Sequence, residues 1–531
     1  MPVLSVSGLH LIDGNFEPGD GPSRANVDPA SGEVLPGEFR DATISQVDRA
    51  LQSADLAFTT LQHQHDEWQV PFLERLAAAI EEHSESLIDR AAKESALPNA
   101  RLQGELARTT GQLRLMASVV REGSWVDAVI DTSQPDRKPA PRPDLRRMQV
   151  PIGPVVVFDA VNFPFAFGAC GNDTAAAFAA GCPVVVKSHP SHAGTDELFA
   201  RITAMVVSEL GLPTGVFNLL HGQSNDLSRV LVEHPVTSAV GFTGSFTGGT
   251  AIAAIAAARP HPVPVFAEMG SINPLFILPS ALKTRPQQVA KDLYASVTLG
   301  VGQFCTKPGV VFLIRGDGYG DFMATLSEEF RSAPGGIMLN VNLKDRFLAA
   351  GASHFQLCGK SLPPQTNSEG VASVLPWLLP VDSSQWRDHS ELRQESFGPG
   401  TIVVSCNTPN DLLECALLLD GQLTATIHCD GESDGTLFAQ LLPVLTRIAG
   451  RLIYNGFPTG VEVCHAMVHG GPYPATTSAN STSVGSRGIL RFTRPLCLQN
   501  LPDSLLPPQL KHANPLNLLR QVNGAYTREK A

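Results

Sequence analysis

The chain of 531 residues is poor in charge, with 17% Asp, Glu, Lys and Arg, and poor in aromatic residues, with 6%. The balance is acidic, a net -12 with histidine neutral, so there is no basic footprint for nucleic acid. No apolar run approaches the roughly 18 residues that a membrane span needs. Met1-Pro2-Val3-Leu4-Ser5 lacks a basic stretch followed by an apolar one, so neither a membrane partner nor a secretory leader is expected. C-x-x-C spacing is missing as well. Nine cysteines, an odd number scattered over a long chain, suggest neither a disulfide framework nor a zinc site; no metal is expected, and a reducing cytoplasm is. There is no repeat of solenoid period. What is present is 43% hydrophobic residues with Gly and Pro spread throughout, the composition of a soluble globular protein with a length fit for roughly two to four domains.

The first forty residues, rich in Gly, Pro and Asp, read as short strands and turns. Helices follow. Ser45-Gln46-Val47-Asp48 resembles an N-cap with an acidic first turn, and Leu51, Ala54, Ala57 and Phe58 recur at helical spacing. Amphipathic runs at 70–92 and 102–120 read as packing helices without chemistry. Residues 132–147, dense in Pro, Asp and Arg, form a linker or exposed arm whose flanks can pair as edge strands, and an extended edge is a place for subunits to join. From 148 onward, short apolar strands (155–158, 183–187, 216–220, 238–242, 263–268) alternate with helices (174–180, 196–210, 227–233, 250–258). That alternation marks a parallel sheet covered on both faces, with ligands bound outside the carboxyl ends of its strands. Lys187, Thr243-Gly244-Ser245 and Glu268 fall at such ends. A second α/β stretch runs from Asn273 to near Ile453. Residues 488–492 read as a strand, and the last twenty-odd residues, with Pro507, Pro508 and Pro515, as a surface extension.

Inside the second stretch, Val301-Gly302-Gln303-Phe304-Cys305-Thr306 joins an expected helix at 287–299 to an expected strand at 309–315. A thiol in a Gly-containing junction can be approached closely by a substrate and by backbone donors, which makes Cys305 the candidate nucleophile. Free cysteine also serves as buried filler, and the junction alone leaves both uses open. Glu268 stands where an apolar strand leaves its sheet, a position that also suits a salt-bridged strand end. Gly244-Ser245-Phe246-Thr247-Gly248-Gly249 lies between a strand and a helix, where small residues and a helix N-terminus can receive a pyrophosphate, although it is not a G-x-G-x-x-G fingerprint.

Six stretches, PIGPVVVFDAVNFPF, CPVVVKSHP, GFTGSFTGG, AEMGSINP, GQFCT and ESFGP, stand in the order in which the aldehyde dehydrogenase superfamily carries its motifs. The chain resembles that superfamily over nearly its whole length. The resemblance implies an α/β aldehyde dehydrogenase fold, with a Rossmann-like parallel-sheet cofactor domain from 1–128 and 150–270 and a bridging, oligomerising arm at 129–149. It places an α/β catalytic domain at 271–480 and an oligomerisation strand with a C-terminal extension at 481–531, in a homodimer or homotetramer. It further implies oxidation of an aldehyde substrate to a carboxylate with NADP or NAD. Cys305 would attack the aldehyde carbon to give a thiohemiacetal and then a thioester. Asn162 would form the oxyanion hole with the backbone N–H of Cys305. Glu268, its pKa raised toward neutrality by partial burial, would activate the hydrolytic water. Gly244, Ser245 and Gly249 would neighbour the cofactor, Lys187 would contact the adenosine ribose, and Glu395 would hold the nicotinamide ribose.

Two departures from the common pattern refine this. Pro190 stands three positions after Lys187, where many NAD-preferring relatives carry an acidic residue; with no anion there, and with His189 and His192 close in sequence, NADP is expected to be tolerated. AEMGSINP, FPTGVEVCHAMVHGGPYPATT and RFTRPLCLQNLP resemble the branch that contains α-ketoglutaric semialdehyde dehydrogenases and NADP-dependent long-chain aldehyde dehydrogenases, in which His465 either approaches the active site or is a solvated or packing residue. α-Ketoglutaric semialdehyde is the favoured substrate and a long-chain aldehyde the alternative. Retention of Cys305, Glu268 and Asn162 together speaks against a catalytically silent cofactor-binding relative, and Glu268 as a water activator speaks against transfer of the thioester to coenzyme A.

Overall fold

The computed structural model describes residues 5–64, 68–363, 365 and 370–531. Its first sheet has seven strands, in the order Val265–Glu268, Ala239–Thr243, Val155–Phe158, Val184–Lys187, Phe217–Leu220, His10–Ile12 and Asn15–Glu17. The first five are mutually parallel, and the last two are added antiparallel. Val155–Phe158, Val184–Lys187 and Phe217–Leu220 are buried at every residue, as strands covered by helices on both faces must be. Register sets their ends level: Phe158 lies beside Lys187 and Phe242, and Thr243 beside Glu268. One edge of the sheet therefore presents Lys187, Thr243 and Glu268 together.

A second sheet, of six parallel strands, runs Trp377–Asp382, Gly400–Cys406, Val310–Ile314, Leu275–Ile277, Gln422–His428 and Ala449–Tyr454. A third, of five strands, joins distant parts of the chain in the order Thr493–Gln499, Leu145–Pro151, Val129–Asp131, Arg520–Val522 and Ala525–Thr527. Among the described residues no helix is long and apolar enough to cross a membrane.

Several local expectations are corrected. The first helix begins at Ile44 and is capped by Thr43, not Ser45: Gln46 N donates to Thr43 Oγ1 (3.2 Å) while Thr43 N donates to Gln46 Oε1 (3.0 Å), a reciprocal capping box. The run 70–92 is two helices, Gln69–Glu82 and Ser84–Ser95, broken at His83, whose φ of -110° and ψ of 17° leave the helical range. Residues 488–492 are not a strand. They lie in a 3-10 turn, Ser486–Phe492, which buries Ile489 and Phe492 three residues apart in the helical core, and the strand follows at Thr493–Gln499.

The flanks of the 132–147 segment do pair, Val129 with Arg147, but inside the five-stranded sheet; its edges are Thr493–Gln499 and Ala525–Thr527. Nor is the C-terminus a surface extension. Arg520–Val522 pairs in parallel with Val129–Asp131, and Arg520 is fully buried, donating to the carbonyls of Lys511 and His512. A buried guanidinium that caps backbone carbonyls ties the tail to the molecule in a way that proline content could not reveal.

Candidate active site

Cys305 is presented by a strained turn. After the helix Pro286–Thr298, residues Gly300, Val301 and Gly302 all take left-handed backbone angles, with φ of 57°, 57° and 65°. Glycine does so freely, whereas a β-branched residue such as Val301 costs roughly 1–2 kcal/mol there. Gly302 has a second reason to be glycine, since a Cβ would sit 2.3 Å from the carbonyl oxygen of Gly398. That close approach presses the Glu395-Ser396-Phe397-Gly398-Pro399 loop against the cysteine turn. Asn273 fixes the other side, its Nδ2 donating to the carbonyls of Cys305 (2.8 Å) and Lys307 (3.0 Å).

Two side chains meet the half-buried Cys305. Glu268 comes from the end of its parallel strand, and His469 from a returning segment whose backbone bonds it in place, His469 N donating to Thr482 Oγ1 at 2.9 Å. His469 Nε2 lies 3.4 Å from Cys305 Sγ and 2.8 Å from Glu268 Oε1, so a single nitrogen touches both thiol and carboxylate. Ser483 Oγ donates to the other carboxylate oxygen at 2.6 Å. Burial and the Glu268 carboxylate push the Cys305 thiol well above its ordinary pKa, opposed by the Arg108 guanidinium. The Glu268 carboxyl is held below the usual carboxylate range, because His469, Ser483 and Arg491 together outweigh a large burial effect. This reverses the expectation of a raised Glu268: desolvation is present, but the hydrogen bonds and charges of these three neighbours override it. Thiol, imidazole and carboxylate donor atoms lie within 4.8 Å of one another, a set that could also hold a soft divalent cation, although no metal was expected from cysteine spacing.

His465 is exposed and takes no part; the histidine of this segment that reaches the site is His469. The sequence did carry a signal. His469 precedes Gly470-Gly471, and a Cβ at Gly470 would stand 2.8 Å from the carbonyl of Ser481, so the glycine marks the place where this backbone is packed tightly.

Asn162 is buried in the loop after Val155–Phe158, and its Nδ2 donates to the carbonyl of Gln303 at 3.0 Å, two residues before Cys305. Its loop is clamped by the buried Glu105, whose Oε1 accepts from the backbone N–H of Phe165 (2.8 Å) and Ala166 (3.0 Å). Phe163, Phe167 and Phe304 close around the site as an apolar wall with Val461, Val463, Met467 and Val484.

The groups around the opposite side fit a dinucleotide. The helix Phe246–Ala257 starts four residues earlier than the sequence suggested; Ser245 caps it, accepting from Gly248 N at 3.2 Å. The first-turn N–H groups of Phe246 and Thr247 have no partner within the helix and sit on an exposed rim with Gly244 and Ser245, where a pyrophosphate can accept from them. Gly249 has a packing role: a Cβ there would meet Met269 at 2.7 Å, so its absence lets the helix lie on the strand end that carries Glu268. Lys187 is buried at its strand end, pushed down to about 8 by burial and by Arg24, and among the described residues its Nζ reaches only the carbonyl of Ser188, at 3.5 Å, which leaves it N–H groups to donate to ribose hydroxyls. Glu395, pushed up to about 7 by burial against the pull of Lys307, lies over Gly270, where a Cβ would come within 2.1 Å of its carboxylate. His192, held between Asp196 (3.0 Å) and the carbonyl of Ala160 (2.9 Å), is occupied within the fold.

The chain matches the aldehyde dehydrogenase family over residues 16–342. It is 44% identical to α-ketoglutaric semialdehyde dehydrogenase 2 of Azospirillum brasilense, covering 98% of this chain and 99% of the relative, and 43% identical to an α-ketoglutaric semialdehyde dehydrogenase of Acinetobacter baylyi over the same shares. Among solved structures it resembles lactaldehyde dehydrogenase of Escherichia coli, with a TM-score of 0.79 at 21% identity over 93% of this chain and 99% of the other. Betaine aldehyde dehydrogenase of Staphylococcus aureus in complex with NAD+ also scores 0.79, at 17% identity over 94% and 96%. With its parallel sheets, its thiol at a glycine turn and its cradle for a dinucleotide, the chain belongs to the aldehyde dehydrogenase family and is an enzyme that oxidises aldehydes with NAD or NADP.

Proposed function

We propose that the enzyme oxidises α-ketoglutaric semialdehyde to 2-oxoglutarate through Cys305, with His469 carrying the proton between thiol and carboxylate. The reading rests above all on His469 Nε2, 3.4 Å from Cys305 Sγ and 2.8 Å from Glu268 Oε1. A half-buried thiol beside a carboxylate resists ionisation, but an imidazole at contact can take its proton and become a cation between two anions, which offsets the repulsion. The thiolate sulfur then bonds to the aldehyde carbon while the carbonyl oxygen takes up the electron pair, received by Asn162 Nδ2–H and the backbone N–H of Cys305. Bound NAD+ or NADP+ supplies the hydride acceptor that turns this adduct into a thioester. Glu268 next takes a proton from water as the water oxygen attacks the thioester carbon; the C–S bond breaks and the carboxylate product leaves.

In this reading Gly244, Ser245, Lys187 and Glu395 receive the dinucleotide, and Gly249 keeps its helix close. Replacing His469 by Gln is expected to lower turnover about 100-fold or more. It also moves the pH profile of Cys305 alkylation by iodoacetamide upward, because the thiol loses its proton acceptor. Lost activity with an unmoved alkylation profile would make His469 a packing residue.

The substrate follows the two relatives with over 40% identity along nearly the whole chain. Steady-state comparison with decanal, using both cofactors, is expected to favour α-ketoglutaric semialdehyde in kcat/KM by about 100-fold. Preference for decanal would replace this reading with the long-chain one, which the aromatic wall of Phe163, Phe167 and Phe304 would then explain. Residues 1–128 and 150–270 are taken as the cofactor domain and 271–480 as the catalytic domain, in accord with the first two sheets. The 129–149 arm and 481–531 share the five-stranded sheet, whose two outer strands offer edges to further copies in a homodimer or homotetramer. Nine free cysteines accord with a reducing cytoplasm.

A further inference from the structure

A half-buried arginine in the active-site wall has, among the described residues, two buried nitrogens without a hydrogen-bond partner. Arg108 stands one turn after Glu105 on the helix Asn99–Glu122, its guanidinium carbon 5.3 Å from the ring centre of Phe163 and 5.4 Å from that of Phe167. Among the described residues its buried Nε and Nη2 atoms find no acceptor. The neighbouring arginines are engaged through their terminal nitrogens, although the Nε of Arg451 also finds no acceptor among the described residues. Arg101, over Phe163 and Phe304, donates to Glu105 Oε2 and to the carbonyl of Asn162, and Arg451 donates to the carbonyls of Pro458 and Gly460. Glu105 in turn has its Oε1 engaged by two backbone N–H groups, and Arg101 is its ion-pair partner.

Buried N–H groups without an acceptor are costly and point to a group from outside the chain that completes them. Arg108 nevertheless belongs to the reaction chamber. Its charge is felt by both Cys305 and Glu268, and Phe167, on which it stacks, faces His469 with ring centres 6.3 Å apart. Nε and Nη2 form the side edge of a guanidinium, two parallel N–H groups spaced to receive both oxygens of one carboxylate. The rings of Phe163 and Phe167, their centres 5.6 Å apart, cover one flank of the guanidinium and shield it from water on that side.

We propose that Arg108 binds the remote carboxylate of the aldehyde substrate in bidentate fashion and so selects short aldehyde acids over uncharged aldehydes. The inference rests on the semialdehyde reading above and names the residue that would enforce it. The apolar wall carries the methylene chain, and the fork sets the distance between carboxylate and thiol.

The test compares α-ketoglutaric semialdehyde with pentanal, an uncharged aldehyde of the same chain length, in wild type, R108M and R108K. For R108M, kcat/KM on the semialdehyde is expected to fall about 100-fold more than on pentanal, mostly through KM; the loss on pentanal is confined to the guanidinium's support of the Cys305 thiolate. R108K keeps the charge without the fork and falls about tenfold on the semialdehyde alone. 2-Oxoglutarate, the product, should protect Cys305 from iodoacetamide in wild type and not in R108M. Thermal melting of R108M should not drop, since two buried N–H groups without acceptors have been removed; should R108M fail to fold, R108K decides the question by itself. Equal losses on both aldehydes would make Arg108 a general electrostatic support for the thiolate, and no loss would remove it from the site; either result overturns the proposal. A wild type that prefers pentanal would instead overturn the semialdehyde reading beneath it.

Discussion

Cys305→Ser is expected to lower aldehyde oxidation by about 10^4-fold or more while leaving NAD and NADP affinity within about twofold of wild type. The thiol is surrounded by features that serve nucleophilic attack: three left-handed residues that turn it out of the helix, Asn273 holding its carbonyl, and His469 in contact with its sulfur. Serine keeps the turn, because its side chain is no larger. It loses the chemistry, because a hydroxyl is far less acidic than a thiol and Glu268 already opposes a negative charge at this position. The shorter bond from Cβ to oxygen also draws the nucleophile away from His469 Nε2. Steady-state rates with fluorescence titration of the reduced cofactor separate the two effects. Turnover within about tenfold of wild type would remove Cys305 from the nucleophile's role.

Much of the scaffold was legible because it depends on local pattern. Uninterrupted β-branched runs such as Val155-Val156-Val157 and Val184-Val185-Val186 have one stable use, as strands buried on both faces, and they stand where the sequence placed them. The position of Lys187 and Glu268 at strand ends follows from the same pattern. Contacts between distant segments were less accessible. Nothing local to Arg520 says that its strand will lie beside Val129–Asp131, and nothing near His83 outweighs the amphipathic run on either side of it.

The site shows the same division. Asn162 Nδ2 reaches the Gln303 carbonyl, two residues before Cys305, and the histidine between thiol and carboxylate is His469 and not His465. The two stand four positions apart in an irregular segment, where no periodicity tells which side chain turns inward. The pKa of Glu268 was misjudged for a related reason: burial was anticipated from position, but the imidazole that reverses its effect arrives from two hundred residues further along the chain.

Glu268→Gln is expected to separate the two halves of the reaction. Glutamine has nearly the same volume as the carboxylate and can still accept from Ser483 Oγ, so the strand end and the returning 469–483 segment should stay in place. What it lacks is a basic oxygen. Acylation needs a proton acceptor for the Cys305 thiol, and His469 Nε2 remains for that; hydrolysis needs one for water, and none remains. A first turnover should therefore release about one reduced cofactor per active site and then stall, with steady-state rate down about 10^2- to 10^4-fold. Mass spectrometry of the quenched variant should find the acyl group on Cys305, bound as a thioester and released by hydroxylamine. The sign of the wild-type pH dependence follows from the depressed Glu268 pKa. Because the folded pKa lies below the ordinary carboxylate range, the base stays ionised as pH falls through that range and hydrolysis is lost only below it, whereas a raised pKa would bring the loss nearer neutrality. A variant that shows neither burst nor adduct, in a protein whose Cys305 still reacts with iodoacetamide, would place the hydrolytic base elsewhere and leave Glu268 as the carboxylate that orients His469.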